Sequence, residues 1–459
     1  MTSPAPERST GTSDIPSRRR PPGPRLDQFA VLGLRHADNF YTLLPEISRR
    51  YGDIADLSIP FVGTTTLLAH PHHVEHVMIR NHDRYIRHRF TGDLVVGETG
   101  VIPLLVGDSL KQWRQPLNPL FTEKSMAVLS RSMADAIAAG MDAWSDLPGS
   151  GTWVDLEHQL GVVVLDAVMR SMLSTELDAA TMHRYVIAAR DLGSYTIGRA
   201  FMSPLPKLVP RPFQRRGEAA QRYLLGQVDT ILNRRLSDGP GDQPDVLDVL
   251  MSMTFEGSPE QQYRRLRTEV SSMVFAAFET TAQTVAWTIA LLHGNPSALQ
   301  AAYAEVDALD CARIDSAELS KLPYLRACFD ETMRIGAPPA FLRKATEEDV
   351  IDGYLIPKDS HILISPYGLH RDPRFWNDPH SYEPNRFLTD DINRNAYIPF
   401  NTGPRKCMGW RMAYIDGVMT LAAVLQRFSF QIRPGWTPKP KLRLSAGLVG
   451  GLPVRLTAR

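Results

Sequence analysis

Residues 274–292 are mostly apolar over almost the length needed to cross a bilayer core. Glu279, Thr280, Thr281 and Gln283 stand inside the run, and such groups are costly in lipid. The run therefore predicts a helix buried through the middle of a large domain. Gly294-Asn295-Pro296 marks its end, a glycine stop followed by a proline able to open the next helix. An apolar helix of this kind needs neighbours on every side. Most of the chain between about residues 38 and 336 offers them at helical spacing. Leu43, Ile47 and Tyr51 recur in this way, as do Met133, Ile137 and Met141, then Val163, Leu165, Val168 and Leu173, and later Leu225, Val228, Ile231 and Leu232.

Strand-like pieces are short: 54–59 and 64–69 near the front, then 348–356, 361–365 and 442–456. They predict a small sheet beside a helical body, so the fold class is mainly α with a small β-sheet region (α+β). After His370 comes a proline- and aromatic-rich run from Arg371-Asp372-Pro373 to Pro384-Asn385-Arg386-Phe387. It carries Phe375, Trp376, Tyr382 and Phe387 with little period, which suits ordered coil better than a linker. No internal repeat is visible. The expected organisation is a disordered Pro/Arg-rich arm over residues 1–27 and one large domain over 28–459.

Composition removes several function classes. A net charge of +1 without a long like-charge block gives no footprint for nucleic acid, and Arg18-Arg19-Arg20 lies in the arm. Three scattered cysteines, Cys311, Cys328 and Cys407, are too few for a disulfide framework and fit a reducing, cytoplasmic setting. The arm lacks the apolar core of a signal peptide, and no membrane span is expected.

Residues 400–409 read Phe-Asn-Thr-Gly-Pro-Arg-Lys-Cys-Met-Gly. A thiolate ligand needs an accessible sulfur, positive surroundings and a backbone free to come close. Cys407, then Arg405 and Lys406, then Gly403 and Gly409 offer these in turn. On its own the loop supports a thiolate near a metal or haem, with a buried structural cysteine as the alternative.

Several separated motifs now agree in order and spacing, and from about residue 21 onward the chain resembles the cytochrome P450 family of haem-thiolate monooxygenases, soluble bacterial type. The cysteine loop matches at Phe400, Gly403, Arg405, Cys407 and Gly409; a Glu-x-x-Arg helix at Glu331 and Arg334; a later Pro-x-Arg-Phe at Pro384, Arg386 and Phe387; and the oxygen-activating helix at Ala276-Ala277-Phe278-Glu279-Thr280-Thr281. The resemblance implies haem b between the long central helix and the cysteine loop, with Cys407 as its axial ligand and only metal ligand, and dioxygen as co-substrate. Phe400 is then expected to pack on the sulfur side. Glu331, Arg334 and Arg386 form a structural charge cluster in the family, one helical turn joined to coil.

By the same resemblance Glu279 and Thr280 are the catalytic pair, an acid to relay protons and a hydroxyl to donate to dioxygen. A threonine in a helix also tends to bond back to the carbonyl four residues earlier. Ala277 stands where the family commonly has glycine. Haem propionates call for cations, supplied by resemblance from Arg405, Arg343 and Arg114. Leu110 occupies the place where the family usually has Trp or His, and Pro116 is expected to disturb the helix carrying Arg114.

The matching recognition segments are 89–103, 191–212, the helix face of Met273, Ala276 and Thr280, the turn with Ala340 and Phe341, and 446–449 with Leu448 and Val449. Val95, Val96, Val101, Ile102, Phe201, Met202 and Leu205 make the first two largely apolar, with Leu104 just beyond, so a small lipophilic substrate is expected: a terpenoid, a fatty acyl chain, a steroid or a polyketide. Gly-Pro-Arg before the cysteine and His370-Arg371-Asp372-Pro373 resemble fatty-acid-hydroxylating and eukaryotic-type members. No flavin or iron–sulfur module is visible, so electrons from NAD(P)H are expected indirectly, through a ferredoxin or flavodoxin with its reductase. The partner is expected on a basic face of Arg405, Lys406 and Arg411. Two other functions stay open here: a peroxygenase or isomerase, and a non-enzymatic haem sensor.

Overall fold

The computed structural model describes residues 19–36, 40–59, 63–87, 105, 107–148, 151–202, 211, 213–241, 244–309, 313–338, 340–389, 391–442 and 446–459. The expected buried helix is Pro259–His293, 35 residues long. It starts earlier than the apolar run because a capping box opens it: Ser258 Oγ accepts from Gln261 N at 3.4 Å, and Gln261 Oε1 accepts from Ser258 N at 2.8 Å. Its end falls where expected, yet Gly294 keeps a right-handed φ of −73°. The stop is made instead by Asn295, whose Nδ2 donates to Leu291 O at 2.7 Å, and by Pro296 at the start of the next helix, Pro296–Asp307.

Helices Leu156–Leu173, Gln214–Asp238, Pro323–Ile335 and Trp410–Arg427 pack around this central helix. Leu156–Leu173 is buried almost throughout, which explains its low amphipathicity: it lies between the central helix and Glu123–Ala143. One continuous apolar core joins these helices. Among the described residues no helix is long and apolar enough to cross a membrane.

The small sheet has five strands in the order Ile54–Ile59, Gly63–Leu68, His361–Ile364, Phe341–Ala345, Tyr85–Arg87. Only the pair Gly63–Leu68 and His361–Ile364 runs parallel. The pairing sets Arg87 opposite Arg343. The expected strand over 348–356 is a hairpin, Asp349–Ile351 with Tyr354–Ile356. Asp352 (φ 50°) and Gly353 (φ 80°) form its two-residue turn, the Asp-Gly pair that suits two successive positive φ values. The stretch 442–456 divides: Pro440–Leu442 pairs with Ala446–Leu448, and Pro453–Ala458 pairs with Phe428–Ile432 and Val154–Asp155.

The expected disordered arm is corrected at its inner end. Residues 1–18 lie outside the described residues, but from Arg19 the chain is docked. Arg19 bridges Tyr354, its carbonyl accepts from Leu355 N at 2.9 Å, and Pro22 O accepts from Asp56 N at 2.8 Å. Helix Leu26–Arg35 then starts before residue 27. Proline removes donors but leaves carbonyls, so a Pro-rich segment can still dock by accepting hydrogen bonds.

Candidate active site

A cavity of about 560 Å³ lies between the central helix and residues 400–409. Cys407 sits in its floor. The loop holds its shape through Cys407 N donating to Phe400 O at 2.8 Å and Lys406 N donating to Gly403 O at 3.0 Å. Gly403 has φ +66°, and a Cβ there would come within 2.0 Å of Met78 O, so only glycine fits. Gly409 begins the helix Trp410–Arg427, and Phe400 lines the cavity with its ring 5.4 Å from that of Tyr414.

The sulfur is enclosed by protein except on the cavity side, from which it is accessible. Burial pushes the Cys407 thiol above its ordinary range, while the Gly409 N–H, then Arg114 and Lys406, pull it back. The charges beside the sulfur thus include Arg114 rather than the expected Arg405.

Four arginines, Arg87, Arg114, Arg343 and Arg405, line the cavity. Burial lowers Arg343 to about 9, with Arg87 and Arg405 adding repulsion, and lowers Arg87 to about 10, with Arg405 adding to it. Arg405 is lowered by burial and then by Arg114. Among the described residues none of the four is in an ion pair; Arg343 donates to Leu342 O at 2.8 Å and Arg405 to Leu105 O. Buried guanidinium groups that repel one another call for an anion between them. A flat group bearing two carboxylates, placed over an accessible thiolate, fits this donor set.

Arg114 differs from expectation. Pro116 lies in the last turn of Gly107–Leu117, so the helix reaches past Arg114 undisturbed. The guanidinium spans the cysteine loop, donating to Pro404 O at 2.8 Å and Lys406 O at 2.9 Å. It clamps the loop's backbone. Arg87 was not legible in the sequence, because only the non-local pairing with Arg343 brings it to the rim. Asp416 was missed too: it is buried, lines the cavity from the helix after the loop, and burial pushes it up to about 7 against a hydrogen bond from Thr420.

Opposite the sulfur, Met273, Ala276, Ala277, Thr280, Gln283 and Thr284 face the cavity. Thr280 Oγ1 donates back to Ala276 O at 2.8 Å, and Thr284 Oγ1 to Thr280 O at 2.8 Å, so the helix runs unbroken through Ala277. Glu279 is not in the cavity wall. It is buried behind the helix, beside a small cleft with Glu157 and Arg190. Gln283 Nε2 donates to Glu279 Oε1 at 3.0 Å and lies on both the cavity and the cleft, which makes it the link the sequence did not reveal.

The charge cluster is assembled as expected. Arg334 grips Glu331 through Nε–Oε2 at 2.7 Å and Nη2–Oε1 at 2.8 Å, and Arg386 Nε reaches Oε1 at 3.3 Å. Arg334 also donates to His370 O and Pro379 O, both at 2.7 Å, and to Ser381 O at 3.0 Å, tying coil to helix. All three side chains are buried.

The substrate expectations divide. Ala340 and Phe341 line the cavity, but Leu448 packs into the core and Val449 is 50% exposed; Ala446 takes their place, accepting from Trp287 Nε1 at 2.5 Å. Stretch 89–103, with Val95, Val96, Val101 and Ile102, lies outside the described residues, as do Leu104, Leu205 and the side chain of Phe201.

The sequence profile described as Cytochrome P450 matches residues 21–456. This chain belongs to the cytochrome P450 family. Among similar proteins, cyclooctatin synthase from Streptomyces melanosporofaciens is 28% identical over 94% of this chain and 94% of its own. Protein LUTEIN DEFICIENT 5, chloroplastic, from Arabidopsis thaliana is 27% identical over 92% of this chain and 74% of its own. Cytochrome P450 4A12 from Rattus norvegicus is 26% identical over 77% and 74%. As a cytochrome P450 the chain is a haem-dependent monooxygenase, an oxidoreductase that binds haem through a cysteine thiolate and uses dioxygen with electrons derived from NAD(P)H. A lipophilic substrate and redox partners go with that class.

Proposed function

We propose that this cytochrome P450 inserts one oxygen atom into a C–H or C=C bond of a terpenoid, fatty acyl, steroid or polyketide substrate. Haem b, when bound, supplies the activation of dioxygen. Cys407 would hold its iron, and Arg343, Arg405 and Arg87 its carboxylates, with Arg114 bracing the loop. The observation that carries the reading is the cavity itself: a thiol floor and a cationic rim face a wall of Met273, Ala276 and Thr280. Met172, Leu192 and Phe341 extend that wall with apolar side chains, which exclude water and favour a lipophilic guest.

Thr280 keeps a proton on Oγ1 at the cavity face and releases Ala276 O by a χ1 rotation. Gln283 connects that face to the Glu279 carboxyl behind it, so the pair we assign to catalysis acts through an intermediary. Electrons would come from an acidic ferredoxin or flavodoxin. It would meet Lys406 and Arg411, which flank Trp410 at 4.3 and 4.4 Å from its ring, whereas Arg405 is turned inward. The reducing cytoplasm suits a free Cys407.

Thr280→Ala tests the assignment. Product formed per electron consumed should fall severalfold with haem content unchanged; tight coupling retained would remove Thr280 from oxygen activation. Charge reversal at Lys406 and Arg411 together should slow electron delivery, and an unchanged rate would place the partner elsewhere.

A further inference from the structure

Four of the chain's 13 histidines fall within seven residues, His70, His72, His73 and His76, and none is used by the cavity. They sit in and beside the short helix Pro71–Glu75, against the hairpin turn that carries Asp352. His72 Nε2 is 3.0 Å from Asp352 Oδ1, and His73 Nε2 is 2.9 Å from Asp352 Oδ2. One ligand atom from each of the three lies within 4.8 Å of the others.

We propose that His72, His73 and Asp352 form a binding site for one divalent transition-metal ion, zinc by preference, outside the haem cavity. Two imidazole nitrogens and a carboxylate are a donor set that zinc takes, with water in the fourth position of an open site. Tetrahedral bonds of about 2.1 Å separate ligand atoms by roughly 3.4 Å, so each His–Asp contact needs to open by a few tenths of an ångström, within a set whose ligand atoms already lie within 4.8 Å of one another. His73 is fully buried, and packing fixes the direction of its ring. The side chains of His72 and Asp352 are each about half exposed, at 49% and 50%, which gives an ion and its water a way in.

Asp352 is placed by its backbone. Its left-handed φ in the Asp-Gly turn lifts the carboxylate towards both histidines. The hairpin is held independently by Asp349, which accepts from Tyr85 Oη at 2.7 Å and pairs with His76 Nε2 at 2.7 Å. Loss of Asp352 therefore removes a ligand without releasing the hairpin. Bound metal would tie the hairpin to the segment ending at Arg80, whose Met78 carbonyl abuts Gly403 of the cysteine loop.

The test uses the full-length haem-loaded protein, stripped with a chelator and titrated with zinc chloride by calorimetry, with metal content after dialysis as a second readout. One zinc per chain in the micromolar range, reversed by chelator and raising the melting temperature, is expected. His72→Gln and Asp352→Asn should each weaken that equivalent at least tenfold while the reduced-CO spectrum stays unchanged. Asn tolerates the left-handed φ at 352, so this variant should fold. No saturable equivalent in the parent, or full binding retained in both variants, would overturn the proposal and leave plain His–Asp hydrogen bonds. Because the CO spectrum is read in the same samples, failure of the zinc site is distinguishable from failure of the haem assignment.

Discussion

The two walls of the cavity are built from different kinds of residue. On the side of the cysteine loop, Gly403 tolerates no side chain, and the buried cluster that ties the coil before that loop to its helix has Arg334 and Arg386 donating to Glu331 and to coil carbonyls. In front, Met273, Ala276, Ala340 and Phe341 offer mainly shape, and the polar groups there bond within their own helix. A buried charge network has few solutions, so the rear wall is specified residue by residue. An apolar wall has many, since hydrophobic residues of similar volume replace one another at small cost. The side of the cysteine loop is thus the more narrowly specified, while the opposite wall combines replaceable apolar shape with the Thr280 hydroxyl.

The contrast breaks most visibly at Glu331. Glu331→Ala leaves two buried guanidinium groups without their carboxylate, a loss of about 3–5 kcal/mol. Thermal unfolding should show a sharply lowered midpoint with little haem retained; near-parental stability would mean that the cluster is not what holds the rear wall.

Asp416 comes next. Its carboxyl has an ordinary value of 3.8 and is pushed up to about 7 by burial, so the folded state binds more protons than the unfolded one between those values. Stability contributed by this group is present at low pH and is lost as pH rises from about 4 to 7, by a few kcal/mol. Denaturant unfolding across that range should show the fall, and Asp416→Asn should flatten it. An identical slope in the variant would assign the titration to another group.

Arg87→Gln probes the rim. Losing one charge-assisted partner of a carboxylate costs about 1.5–3 kcal/mol, so haem should be lost to a scavenger roughly tenfold faster or more. The smallest effect is expected in front: Ala276→Val should alter which lipophilic compounds produce a spin shift while the melting temperature moves by less than about 1.5 kcal/mol in equivalent stability. If that variant instead lost haem, the front wall would be as tightly specified as the rear.

What the sequence disclosed follows the same division. Phe400, Gly403, Cys407, Glu331 and Arg334 were readable because each does its work within a few residues along the chain or one helical turn. The central helix was readable from its apolar run and its stop. Arg87 was not, since its place depends on pairing with a strand some 250 residues later. Glu279 was assigned to the right helix, but on the face turned from the cavity, with Gln283 between. Of the segment 446–449 it is Ala446 that lines the cavity, rather than Leu448 or Val449. Composition misjudged residues 19–27, where proline-rich sequence docks through its carbonyls.

The central claim is that Cys407 provides the thiolate beneath the cavity, and the reduced-CO absorption spectrum tests it most directly. The parent protein should give the thiolate signature and Cys407→Ser should lose it; a parent without that signature, or a serine variant with an unchanged one, would contradict the account.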